Sequence, residues 1–229
     1  MSGPKRTPSL SGARYVMLVK DDYSRHAWVY FMKHKSESGY AVRKFLADMR
    51  ADGVPSKVEL VMSDNGGEFF GGEFEQVCKQ HCIKQEFTNA DSPKHNGVVE
   101  RALGINQNAG LTACIQAPII FPYIQLQPTK SLWVAAVHWV CDALNHTATT
   151  ANPGNKSPHE MWYGTAAPVS PHPFLRPAYC CWKRPSKSHP RAESCVYLGP
   201  GRPPKRLFAG AHAGEQGSGD EGRDLGGNA

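Results

Sequence analysis

The sequence predicts an α/β fold, a mixed sheet flanked by helices, followed by an irregular C-terminal region. Three observations predict it. Short β-branched and aromatic runs alternate with stretches whose apolar residues recur at helical spacing. A 229-residue chain with 40% hydrophobic residues can bury a real core. From 150 to 206, prolines recur at 153, 158, 168, 171, 173, 177, 185, 190, 200, 203 and 204, so that stretch should hold loops, short strands and little core of its own.

The elements follow in order. "RYVMLVK" (14–20) and "HAWVYFM" (26–32) flank "DDYSR", whose Asp and Ser suit a tight turn, and read as a hairpin. From Ser36 to Met49, Tyr40, Val42, Phe45, Leu46 and Met49 recur at helical spacing, with Gly53-Val54-Pro55 as the stop. "KVELVM" (57–62) is a strand ending at Asp64, "EFEQVCKQH" (73–81) a helix, and "IKQEFT" (83–88) a second strand. A helix should then run from about Asn96 to Cys114, weakened by Gly104 and Gly110, and another over 131–145, where Trp133, Val137, Val140 and Leu144 share a stripe. The domain plan is therefore 1–116 for the α/β core, 117–150 for a helical extension, 151–206 for a Pro-rich and basic region, and 207–229 for a Gly-rich tail expected to be disordered.

Charge narrows the choice of partner. The net charge is +6, and residues 182–206 hold 7 basic and 1 acidic side chains whereas 1–181 hold 18 and 15. Concentrated basic charge favours a polyanionic partner, with a solvated linker as the alternative. Seven cysteines without a paired C-x-x-C fit a reducing compartment, and "CKQHC" (78–82) reads as buried thiols rather than a metal site. No apolar run approaches the roughly 20 residues of a membrane span, so no membrane partner is expected.

The candidate chemistry lies in the first half. Asp64 ends a strand and Glu100 sits near the start of a helix, both rigid mounts for a carboxylate. Hard divalent cations take one or two such oxygens, with water and phosphate completing the shell. Two cations roughly 3.5–4 Å apart activate an attacking hydroxyl and stabilise a leaving oxygen in phosphoryl displacement. The bare "NGG" after Asp64 leaves room for a nucleic-acid backbone. Spacing alone leaves these acids open to being ordinary surface residues.

Seven segments add to this: "DDYSRHAWVYFMKHKSE" (21–37), "SDNGGEF" (63–69), "IKQEF" (83–87), "SPKHNGVVER" (92–101), "LWVAAV" (132–137), "SPHEMWYG" (157–164) and "CVYLG" (195–199). In that order they resemble the integrase of copia-type long-terminal-repeat retrotransposons, over about residues 1–200. The resemblance implies a ribonuclease H-like fold and metal-dependent polynucleotidyl transfer with Mg²⁺ or Mn²⁺. Element ends and target DNA would be the partners, the nucleus the place of action, and a homo-oligomer an open possibility. It places the second and third of three metal-binding carboxylates on Asp64 and Glu100. Asn65, Gly66, Lys94, His95, Asn96 and Arg101 then face nucleic acid, and Lys183, Arg184, Lys187 and Arg191 supply further phosphate contacts.

The first carboxylate is the departure. In the family it precedes a turn ending in Gly-Pro, which Gly3-Pro4 matches, so it would fall just before Met1. The resemblance thus implies that most of the first, central strand is missing, that the two halves of the sheet join poorly, and that the chain is inactive as it stands. Asp21 and Asp22 fall at the hairpin turn, where turn chemistry accounts for them. Glu68 is nearer Asp64 but matches a residue additional to the triad. Met62 stands where the family carries a basic residue, and "RALGINQNAGL" keeps only Arg101 of a basic-rich helix. A non-catalytic nucleic-acid- or protein-binding role is the alternative.

Overall fold

The computed structural model describes residues 1–53, 58–64, 66–88, 97–122, 129–167, 172–181 and 192–199. Strands β1 (Tyr15–Lys20) and β2 (Ala27–Met32) pair antiparallel, from Tyr15 opposite Met32 to Lys20 opposite Ala27. The turn is fixed by Asp21, whose Oδ2 accepts from the Ser24 backbone N–H at 2.7 Å and its hydroxyl at 2.6 Å. That is turn chemistry, and it occupies the carboxylate.

Alternation along the hairpin divides the core. Met17, Trp28, Tyr30 and Met32 meet helix α1 (Ser38–Ala51) through Ala41, Val42, Phe45 and Met49. Val16, Leu18 and Val29 meet Ala102, Val137 and Cys141 on the opposite face. Each fully buried side chain of this size contributes about 1.5–3 kcal/mol of transfer free energy. A one-residue slip of register would turn both sets to the wrong face.

Strands β3 (Leu60–Ser63) and β4 (Lys84–Phe87) run parallel, joined through helix α2 (Glu73–Gln80). Among the described residues this pair and the hairpin share no ladder, so the single mixed sheet is present as two two-stranded pieces. They are linked instead by packing: α1 lies against α2, and Phe74, Val77 and Cys78 enter the same cluster as the hairpin residues. On the edge of β1 away from β2, Ser2 bridges Val16 with two 2.9 Å bonds between their backbone N–H and C=O groups.

Helix α3 (Gly97–Ile120) runs further than the expected end near Cys114. It packs on α4 (Trp133–His146) at Gly110, where a Cβ would stand 3.0 Å from Val137 Cγ2 and 3.2 Å from the Val137 nitrogen. The glycine that costs helix propensity is therefore what lets the two helices approach. The 116/117 division falls inside α3.

Beyond residue 150, α5 (Pro158–Tyr163) starts from a capping box in which Ser157 and Glu160 bond each other's backbone N–H. Strands β5 (Pro177–Cys181) and β6 (Ala192–Val196) form a third, antiparallel pair. Phe174, Leu175 and Val196 bury against Cys114, Ala117 and Ala136, so this region shares the core of α3 and α4. Of the "CKQHC" thiols, Cys78 is buried as expected but Cys82 is exposed, because the chain turns there with φ +55°.

Candidate active site

Asp64 follows the last residue of β3, and Glu100 lies in the first turn of α3. A strand pinned by a parallel neighbour and a helix packed on α4 are both stiff supports. Asp64 is half-buried and Glu100 exposed. Arg101, next to Glu100, is also exposed. Asn65, Lys94, His95, Asn96, Lys183, Arg184, Lys187 and Arg191 lie outside the described residues.

The loop after Asp64 is organised around Gly66. Asp64 Oδ1 accepts from the Gly66 backbone N–H at 3.2 Å. A Cβ on Gly66 would meet the Glu68 Cδ and Oε2 at 2.9 Å and Asp64 Oδ1 at 3.0 Å. Gly66 has φ −63° and ψ 131°, ordinary for any residue, so it is the two carboxylates, which would have to move, and not backbone conformation that a side chain here would meet. At Gly67 a Cβ would meet nothing within 4 Å.

Glu68 is the residue that sequence reasoning placed to one side. Its carboxylate pairs with Lys35 at 3.3 Å, and its carbonyl accepts from the Ser38 hydroxyl at 2.9 Å. The loop bearing Asp64 is therefore fastened to the start of α1. Spacing offered only an acid four residues beyond Asp64, indistinguishable from a surface charge, and the resemblance set it outside the triad. Among the described residues no group of three or more His, Cys, Asp or Glu is placed to hold a metal ion. The donor chemistry nevertheless fits a hard cation, since Asp64 and Glu68 bring carboxylate oxygens to one point beside Gly66.

Known proteins are similar to this chain in sequence. Residues 6–93 match the Integrase core domain family. The chain is 32% identical over 145 residues to the retrovirus-related Pol polyprotein from transposon TNT 1-94 of Nicotiana tabacum, covering 63% of this chain and 10% of that one. It is 27% identical over 191 residues to the Pol polyprotein from transposon RE1 of Arabidopsis thaliana, covering 81% and 12%. The chain thus spans about a tenth of the length of these curated relatives. Among solved structures, the HTLV-2 integrase catalytic core domain in complex with magnesium aligns with TM-score 0.46 and 21% identity, over 64% of this chain and 83% of that one. Residues 6–93 are thus similar to the integrase core domain family, and most of the chain is similar to retrotransposon Pol polyproteins.

Proposed function

We propose that this chain is the catalytic-core portion of a copia-type retrotransposon integrase whose parent protein joins element ends to target DNA in the nucleus, and that it is inactive without the first of the three carboxylates. The observation that carries this reading is the position of Asp64, at the end of a strand in the parallel pair and inside the stretch that matches the integrase core family. Asp64 and Glu100 supply oxygen donors to divalent cations, Mg²⁺ or Mn²⁺. When bound, such ions activate the attacking oxygen and neutralise charge on the leaving one. Asp64 is held by its bond to the Gly66 N–H, and Glu68 is kept beside it by Lys35. Gly67 leaves open backbone where a phosphodiester can approach, and Arg101 offers a phosphate contact next to Glu100.

Titration of the 229-residue chain with Mn²⁺, followed by water-proton relaxation, tests the site. Asp64→Asn and Glu100→Gln should each weaken binding at least about tenfold while leaving the far-ultraviolet spectrum unchanged, as expected when one of few charged ligands is lost. Equal Mn²⁺ affinity in all three proteins would remove these residues from the site.

A further inference from the structure

An aromatic shelf lies beside Asp64. Strand β4 ends at Phe87, which pairs with Ser63, the residue before Asp64. Paired strands lie about 4.8 Å apart. The Phe70 ring lies flat on that of Phe87, with centroids 4.0 Å apart and planes 15° from parallel. Phe69 is buried against Phe74, so the chain turns Phe70 outward. One face of the Phe70 ring is taken by the half-buried Phe87, whereas the residue as a whole is 47% exposed, so the other face is open.

The shelf is fixed on both sides. The Phe69 carbonyl accepts from Gln85 Nε2 at 3.4 Å, which ties the loop to β4, and the Gly71 N–H donates to the Glu75 carboxylate of α2 at 2.8 Å. The backbone around it is bare, since a Cβ at Gly67 or Gly71 would meet nothing within 4 Å. The neighbouring acids are already paired, Glu68 with Lys35, Glu75 with Lys79 and Glu86 with Lys84, so no free charge there selects a ligand. A pinned, flat, uncharged ring face with open backbone on either side suits a flat aromatic ligand. Every nucleobase has such a face, and stacking on it tolerates any sequence.

We propose, resting on the placement of DNA at Asp64, that Phe70 backed by Phe87 is a stacking platform for an unpaired base of that DNA. A base inside a duplex has both faces covered by its neighbours, so the platform takes a base at a strand end or one turned out of the stack. It fixes the position of the strand beside the carboxylate and adds no ligand to the cation.

The probe is a single-stranded thymidine pentanucleotide whose central base is 5-iodouracil, and its control has an abasic site there, so the protein is unaltered. Both are titrated into the 229-residue chain in EDTA, and the iodouracil complex is irradiated and its crosslinked peptide identified by mass spectrometry. Crosslinking at Phe70 and at least about fivefold weaker binding of the abasic control are expected, with a similar loss in Phe70→Ala but not in Phe70→Tyr. Chelation separates this test from the metal site: Asp64→Asn should crosslink at Phe70 as the native chain does, and the Mn²⁺ titration alone judges Asp64 and Glu100. Equal binding of the two oligonucleotides, crosslinks only at other residues, or self-association of the chain that Phe70→Ala abolishes, which would mean a second copy covers the ring, would each overturn the proposal.

Discussion

Asp64 Oδ1 stands 3.0 Å from where a Cβ of Gly66 would lie, and it accepts the Gly66 N–H at 3.2 Å. The carboxylate and the bare backbone are thus one unit. Gly66→Ala should leave stability within about 1 kcal/mol, because the other obstructing atoms belong to the flexible end of Glu68. Cation binding should fall, because both carboxylates must move to admit the methyl group. Urea unfolding together with Mn²⁺ titration checks both halves.

At the crossing of α3 and α4 the same reasoning gives a structural effect. The space beside Gly110 is taken by Val137 backbone as well as its side chain. Gly110→Leu should cost about 1–3 kcal/mol through overpacking, outweighing the helix propensity gained. Denaturant midpoints compared at constant m-value measure it.

Asn145 joins α4 to the hairpin through two bonds to Ala27. Asn145→Ala removes the acceptor for the Ala27 N–H and leaves the Ala27 C=O with the Cys141 thiol at 3.3 Å, so it should destabilise by about 1–3 kcal/mol for the one N–H left unsatisfied. Asn145→Asp keeps the acceptor for the Ala27 N–H but sets a buried carboxylate oxygen against the Ala27 C=O, so it should destabilise at least as much as the alanine variant. Thermal unfolding orders the three.

The hairpin, α1, α2, the β3–β4 pair and α4 were legible because each has one clear period and a clean stop, as at Ser38–Ala51 and Trp133–His146. The extension of α3 to Ile120 was not, since Gly104 and Gly110 argue against a helix until α4 is seen to occupy the space beside Gly110. The place of Asp64 just after a strand was legible from the apolar run before it, whereas its role was implied only by the resemblance. The pairing of Glu68 with Lys35 was not, because it joins a loop to the start of a helix about 30 residues away, and local pattern carries no such contact.

Thiol reactivity follows burial. Desolvation raises the Cys78 thiol, raises Cys114 to about 11, and raises Cys141 further still. A raised thiol pKa means less thiolate at pH 8, so these three should resist iodoacetamide in the native state while exposed Cys82 reacts first. Mass spectrometry of partly alkylated protein reads the order.

His159 gives the pH dependence. Burial, then the nearby His146, lowers its pKa below the ordinary 6.5. The unfolded chain therefore binds the proton more readily, so stability is full above about pH 6.5 and declines as pH falls towards and through the folded value. His159→Gln should flatten that decline, seen in urea midpoints measured between about pH 5 and 8.

The central claim is that Asp64 and Glu100 serve DNA strand transfer, and a joining assay tests it most directly. A polypeptide in which a strand ending in aspartate precedes Met1 is given oligonucleotide element ends, target DNA and Mg²⁺ or Mn²⁺. The account predicts metal-dependent joining that Asp64→Asn or Glu100→Gln lowers by at least about 10²–10³-fold, taking loss of one electrostatic stabiliser as the floor. Joining that proceeds equally well in either variant would contradict it.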